Sequence, residues 1–496
     1  MRTQPGFTEF ETMAKQGNVV PVYREFLADT ETPVTAYMKI REKPFSFLLE
    51  SAEGSEKWGR YSFIGYLPHM TVLSRNGEME VTEGDAKHVL GQVRNPLHEL
   101  RKIGRRFRPV SVPDLPPFQG GLVGFFNYEV IRTWEGLPGL RSLDGGMPEA
   151  LFTVSRRMII FDHRTHRITA VVFAFLKEGD DLERCYGRAC REVEEIMEEL
   201  GRPLDSVPTQ DPVRLAGLSP NITREQFKDS VQKAKAYIEA GEVIQIVLSQ
   251  RFSGEMEGDS FTLYRNLRSV NPSPYMFYLN FAEIRLIGSS PEILVRLTGG
   301  RIELRPIAGT KPRGGTPEED LDLERELLSD PKEQAEHIML VDLGRNDAGR
   351  VAMPGSVTVP KLMEVERYSH VMHIVSRVEA LLKQDKDAFD LFMAAFPAGT
   401  VTGAPKIRAM ELIADLEPSG RGPYAGGVGY FAFNGNMDFC ITIRTMVLWR
   451  NQLSIQVGAG IVADSTPEGE YQETLKKAGA VFKVLERVTG YDPSYR

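Results

Sequence analysis

The chain has 496 residues, 42% apolar and 26% charged, which is the composition of a soluble globular protein with length enough for several domains or one ample core. Its net charge of −8, with no block of like charges, argues against nucleic acid as a partner; no apolar run approaches a bilayer span, and the polar N-terminus lacks an apolar signal core. Three cysteines (Cys185, Cys190, Cys440), none in a C-x-x-C pair, exclude a disulfide framework and fit a cytoplasmic protein.

Residues 1–40 are polar and mixed, with a short helix expected at Phe7–Lys15. Runs of β type follow at Phe45–Leu49, Tyr61–Gly65, Met70–Ser74, Glu78–Thr82, Gly120–Asn127, Leu151–Asp162 and Arg167–Leu176. Several alternate apolar and polar residues, as antiparallel strands with one wet face do. A helix from about Asp181 to Leu200 closes this first region; Glu192, Glu195 and Glu198 on it read as a solvated face. Pro, Asp, Ser and Thr dominate the next stretch, so residues 1–205 form an N-terminal region and 206–220 a linker.

The second region, residues 221–490, opens with a capping box, Thr223 with Gln226, and its first helix should stop at Gly241. Strands are expected at Val243–Phe252, Tyr275–Phe281, Ile284–Gly288, Ile293–Leu297, Arg301–Arg305 and His370–Leu382. Helices fit Glu319–Leu328, Lys332–Leu343, Lys386–Ala395 and Pro405–Asp415. Three more strands, Gly426–Phe433, Met437–Leu448 and Leu453–Val462, lead to a last helix at Pro467–Val488. Strands come in meanders rather than alternating with helices, which predicts an α+β fold with large antiparallel sheets.

Two helix starts share one grammar. Asp330-Pro331 should cap and open a helix carrying Glu333 and Glu336, three apart and so on one face. Asp464-Ser-Thr-Pro467 does the same for Glu470 and Glu473. Two such carboxylate pairs could jointly hold a hard cation such as Mg2+, while either pair alone reads far more readily as a solvated face. Gly-rich turns at 306–310, 397–406 and 458–460 offer free N–H groups or simply tight turns; Lys406 follows Gly403-Ala-Pro, which is not a nucleotide-binding P-loop. Arg444, inside an apolar strand pattern, is either a structural ion pair or a clamp on a carboxylate. Similarly, His373 reads as a core histidine or a proton-transfer group, and Glu292 as a turn residue or an acid. Together these suggest a pocket for a small polycarboxylate with Mg2+, with a histidine and a glutamate available for proton transfer.

Ile287-Gly-Ser-Ser-Pro-Glu-Ile-Leu294, Arg305-Pro-Ile-Ala-Gly-Thr310, Asp330–Asp347, Ala398–Pro405, Gly422–Phe431, Ile443-Arg-Thr445 and Gln456–Glu473 resemble, in order, the chorismate-utilising enzyme family across nearly all of residues 221–485. The first region, with Leu48-Leu-Glu-Ser51, is similar to the N-terminal part of the anthranilate-forming branch. The resemblance implies two large packed antiparallel β-sheets flanked by helices. The implied activity is conversion of chorismate to anthranilate with loss of pyruvate, the first committed step of tryptophan biosynthesis. Two positions bear on the branch. Family members that add water usually carry a lysine where this chain has Gln245, and those that form aminodeoxychorismate typically carry a lysine where it has Ala308. Both departures point to ammonia as the nucleophile. An aminodeoxychorismate synthase component, an enzyme stopping at the aminated intermediate and a non-catalytic tryptophan-binding regulator are the alternatives.

The resemblance also implies roles. Glu336 and Glu473, with Glu333 and Glu470, would hold Mg2+ against the ring carboxylate, and Gly309 and Thr310 would meet the same end of the substrate. Arg444 and Tyr424, with backbone near Gly458 and Gly460, would hold the enolpyruvyl carboxylate, with Gln245 close by. Glu292 would protonate the departing hydroxyl, His373 would remove the ring proton, and Thr400 would position His373. Glu50, Ser51, Pro274, Tyr275, Met276, Val428, Gly429 and Tyr430 match the family's L-tryptophan inhibition site. No cysteine lies in a G-x-C-x-G element, so glutamine would be used only through a separate amidotransferase subunit.

Overall fold

The computed structural model describes residues 2–51, 59–113, 115–137, 139–141, 144–204, 213–368 and 371–491. Two twelve-stranded sheets dominate it, and all their ladders are antiparallel. In the first sheet, Val19–Leu27, Arg167–Phe175, Arg157–Asp162, Tyr61–Tyr66 and Ser46–Glu50 come from the N-terminal region. Ser46–Glu50 then pairs with Tyr275–Phe281, and the sheet continues through Ile284–Ser290, Thr445–Trp449, Gln452–Ile461, Gln245–Glu257 and Arg214–Pro220. The second sheet is likewise shared: Gly121–Phe126 of the first region pairs with Gly427–Ala432 of the second.

Both sheets and the core thus run through both sequence regions. Phe126 and Phe152 pack with Phe392, Phe431 and Phe439 at ring-centroid distances of 4.7–6.4 Å. Aromatic burial of this kind contributes on the order of 1.5–3 kcal/mol per side chain, so neither region keeps its core without the other.

Several boundaries differ from the sequence reading. The helices that carry the two carboxylate pairs both form, the first capped by Asp330 and running past the expected Leu343 over Pro331–Gly349, the second over Pro467–Thr489 and capped by Thr466 rather than Asp464. Part of the expected linker is instead an edge strand, Arg214–Pro220, laid on Gln245–Glu257; residues 206–212 lie outside the described residues. Leu151–Asp162 is two strands in different sheets, broken at Ser155-Arg156. Met437–Leu448 also divides, into Met437–Ile441 in the second sheet and Thr445–Trp449 in the first. A continuous apolar run hides such crossings, because both sheets bury it alike. Glu192 is not solvated: it is buried and ion-paired with Arg156 and Arg157, which face it from the first sheet's side of the helix.

Candidate active site

The two carboxylate pairs sit at the starts of their helices. Asp330 accepts from the Lys332 and Glu333 N–H groups and Thr466 from that of Gly469, caps worth about 1 kcal/mol each. Both caps fix where the first turn points, so Glu333 and Glu336, and Glu470 and Glu473, leave their helices on one face. All four are half-buried. Burial raises the Glu333 pKa and the neighbouring Glu336 raises it further. Burial also raises that of Glu470, with Glu473 adding to it while Ser465 and Lys477 oppose. Lys332, at the start of the first helix, acts on Glu470 at the start of the second, so the two ends face a common space.

Among the described residues, no group of three His, Cys, Asp or Glu side chains forms a ready-made metal cluster. The donor set nonetheless suits Mg2+: oxygen ligands only, held close enough to repel one another. Gln245, buried on the first sheet, donates its amide to Glu336 Oε1 at 3.1 Å, and its own Oε1 is buried without a partner. An orphaned acceptor beside a carboxylate pair is the kind of atom that a metal-bound water or a substrate hydroxyl would satisfy.

His373, on the strand Val371–Leu381, is half-buried opposite Thr310 on the paired strand Ile307–Pro312, where the expected turn is instead a bulge at Gly309. Its Nδ1 lies 3.0 Å from Gly309 O and 3.0 Å from the Thr310 hydroxyl. A carbonyl can only accept, so Nδ1 carries the proton in that bond and Nε2 is left as a base. Burial lowers the His373 pKa and the Arg444 cation lowers it further, against the Gly309 bond and Glu366; the ring is neutral near pH 7.

Glu292 and Arg444 occupy two places where the chain passes between the sheets. Glu292 falls between Ile284–Ser290 of the first and Ile293–Thr298 of the second. Arg444 falls on the return crossing and takes a left-handed φ of 52°. The crossings are stitched side by side, Ile441 N–H to Glu292 O at 3.0 Å and Ser289 N–H to Arg444 O at 3.2 Å. Burial pushes the Glu292 carboxyl up to about 7, with Thr400 and Lys477 pulling it back. Arg444 spends one N–H on Lys477 O at 3.0 Å and sits near Glu473, Tyr424 and His373. Tyr424 is buried, its hydroxyl 2.4 Å from where a Cβ on Gly458 would stand; Gly460 has the Gln245 amide 2.6 Å from the same point. Both glycines are needed for that close approach.

Of the residues expected to form the site, then, the structure gathers Glu292, His373, Arg444, Tyr424, Gln245, Gly309, Thr310, Gly458 and Gly460 around the carboxylates. Thr400 is placed differently from expectation. It adjoins Glu292, whose carboxyl it pulls down, and with it lines a cavity of about 40 Å³, while Thr310 is the hydroxyl beside His373. Lys477 was not anticipated: its ammonium donates to Gly458 O at 3.2 Å, lies 3.6 Å from Glu473 and influences Glu292. Its spacing of four from Glu473 was the available signal.

The expected inhibitor-site residues also converge. Met276 pairs with Glu50, whose carboxylate accepts from the buried Tyr264 hydroxyl and pairs with Arg268; Ser51 follows directly. Pro274 precedes Tyr275, whose hydroxyl donates to Asp438 Oδ1 at 2.8 Å across to the second sheet. Asp438 is the ladder partner of Tyr430, next to Val428 and Gly429, and Tyr430 stacks on Phe118 at 4.1 Å.

A model of the chorismate binding enzyme family matches residues 46–483, and the chain belongs to that family. Within it, the chain is 46% identical over 493 residues to anthranilate synthase component 1 of Acetivibrio thermocellus, covering 97% of this chain and 98% of that one. It is 47% identical over 482 residues to the protein of the same name from Aquifex aeolicus, covering 96% and 97%. Among solved structures, anthranilate synthase component I from Streptococcus pneumoniae superposes with a TM-score of 0.78 at 37% identity, covering 92% of this chain and 98% of that one. The menaquinone-specific isochorismate synthase from Escherichia coli shares the fold, with a TM-score of 0.69 at 18% identity over 96% and 98% of the chains.

Proposed function

We propose that the protein is an anthranilate-forming enzyme that joins ammonia to chorismate and releases pyruvate and water. The observation that carries this reading is the pairing at the nucleophile position: Gln245 has no basic group with which to activate water and is bonded to Glu336. Relatives at 46–47% identity carry the name anthranilate synthase component 1, in agreement with it.

Arg444 and Tyr424 grip the enolpyruvyl carboxylate against the Gly458–Gly460 backbone. Glu336 and Glu473, supported by Glu333 and Glu470, hold Mg2+, which when bound supplies positive charge to orient the ring carboxylate. Ammonia forms the C–N bond as Glu292 gives its proton to the ring hydroxyl, which leaves as water. His373 Nε2 then takes the proton from the carbon bearing nitrogen, the enolpyruvyl C–O bond breaks, and the ring aromatises. Thr310 and Gly309 fix the ring of His373 for that step.

L-tryptophan is the proposed inhibitor at Glu50, Ser51, Pro274–Met276 and Val428–Tyr430. A glutamine amidotransferase subunit is the proposed source of ammonia, and the cytoplasm the proposed location; no helix among the described residues is long and apolar enough to cross a membrane. The test is product identification by mass. The purified chain with Mg2+ and chorismate should yield anthranilate with ammonium salts at alkaline pH and none with glutamine. Aminodeoxychorismate or isochorismate as the product would overturn the assignment.

A further inference from the structure

Behind the substrate site lies a buried charge network that none of the roles above uses. Arg421 is 2% exposed, and its guanidinium forks onto Glu417, with Nε to Oε2 at 2.9 Å and Nη2 to Oε1 at 2.7 Å. The remaining donors go to backbone: Nη1 to Val401 O at 2.7 Å and Nη2 to Val247 O at 2.8 Å. Glu417 Oε1 also accepts from Ser249 N–H and from the Ser249 hydroxyl, each at 2.8 Å. From the N-terminal region, Glu129 completes the set: 1% exposed, it accepts the backbone N–H groups of Arg421 and Gly422, while Tyr128 N–H donates to Gly422 O at 2.8 Å.

The carbonyls that Arg421 holds are informative. Val401 follows Thr400, which faces Glu292. Val247 is the ladder partner of Gly460, and Ser249 that of Gly458. Tyr424 lies three residues beyond Arg421, against Gly458. One guanidinium and its carboxylate therefore tie together the loop bearing Thr400, the strand backing both glycines and the turn bearing Tyr424. The planar fork makes four bonds at once, to two carbonyls and both carboxylate oxygens, whereas an ammonium has three donors on a single atom.

We propose that Arg421, clamped by Glu417 and Glu129, is a positioning residue that sets the carboxylate cradle for chorismate, and that the N-terminal region thereby completes the substrate site through Glu129. The proposal rests on the chorismate reading above. Misplacement of a binding group by about 1 Å can cost ~10²-fold, and two of the three segments held here, the glycine-bearing strand's neighbour and the Tyr424 turn, serve substrate binding rather than proton transfer.

Arg421→Lys keeps a cation beside Glu417 while giving up at least one of the four bonds and the fixed spacing between them. It should raise the KM for chorismate about tenfold or more, change kcat less than about threefold and leave the KM for ammonium unaltered. Glu129→Gln, which keeps one acceptor oxygen, should move the chorismate KM the same way by a few fold. A folded Arg421→Lys enzyme with unchanged chorismate KM, or with loss confined to kcat, would overturn the proposal. Should that variant fail to fold, an unchanged KM in Glu129→Gln overturns it instead. Wild-type enzyme that makes no anthranilate from chorismate and ammonium would reject the functional reading by itself. Calorimetric chorismate affinity, equal in wild type and variants, would still reject the positioning role in that case.

Discussion

The Gln245 side-chain amide lies 3.1 Å from Glu336 Oε1, joining the residue proposed to set the nucleophile to one proposed to hold the metal. Gln245→Lys would place a fixed cation beside that carboxylate. At about 4 Å and an effective dielectric of ~20, two like unit charges repel by roughly 4 kcal/mol, and a divalent ion suffers more. The Mg2+ concentration for half-maximal anthranilate formation should therefore rise at least about tenfold. An unaltered Mg2+ titration would show that Glu336 does not serve the metal.

Glu292 supplies a pH signature. Its carboxyl is raised to about 7 by burial, so the acid form is present below that pH and is lost as pH rises through it. Free ammonia increases over the same range, which masks the effect when rate is plotted against total ammonium. Expressed per free ammonia, activity should decline above about pH 7, and Glu292→Gln should remove that decline while lowering the rate ~10²–10⁴-fold.

In the proposed mechanism His373 acts after C–N bond formation, so His373→Ala should leave amination running and stall elimination of pyruvate. The anthranilate rate at saturating ammonia should fall ~10²–10⁴-fold, with the aminated, still enolpyruvylated ring detectable by mass. Full anthranilate formation by this variant would remove His373 from the mechanism.

Arg444→Ala should be felt chiefly in substrate affinity. A hydrogen bond to a charged group contributes ~1.5–3 kcal/mol, equivalent to roughly a tenfold to hundredfold rise in the KM for chorismate. A drop in kcat at unchanged KM would assign Arg444 to the transition state instead.

Tryptophan should weaken chorismate use by the wild type, with a coupling of ~1–3 kcal/mol between the two sites. Chorismate titrations with and without tryptophan measure it directly; superimposable curves would leave the Glu50–Ser51 and Val428–Tyr430 cluster without a regulatory role.

Local signals carried far. The helix cap at Asp330 and the capping box at Thr223 were readable because each is satisfied within a few residues, and at the last helix the motif was readable though the cap falls on Thr466 and not Asp464. The carboxylate pairs were readable as a shape, yet Glu192–Glu198 has the same spacing and a different fate. What separates them is the partner across space, Arg156 and Arg157 in one case and Gln245 in the other. Strand crossings at Ser155-Arg156 and at Arg444 were invisible, since burial in either sheet leaves the same apolar pattern. The Arg421 network was missed for a related reason. Glu417 stands four residues before Arg421, but the other two acceptors are main-chain carbonyls at positions 247 and 401, and no side chain in the sequence announces a carbonyl.

Glu292 and Arg444 each stand at a crossing between the sheets, with the two crossings bonded side by side. Neither backbone belongs to a ladder, so the spacing between proton donor and carboxylate clamp is set by how the two sheets are leaned against each other. That makes the dihedral angle between the layers a chemical variable. Phe125 of the second sheet and Phe281 of the first, buried with ring centroids 6.4 Å apart, help to prop the layers, so trimming Phe281 should mistune the acid relative to the clamp before it unfolds the protein.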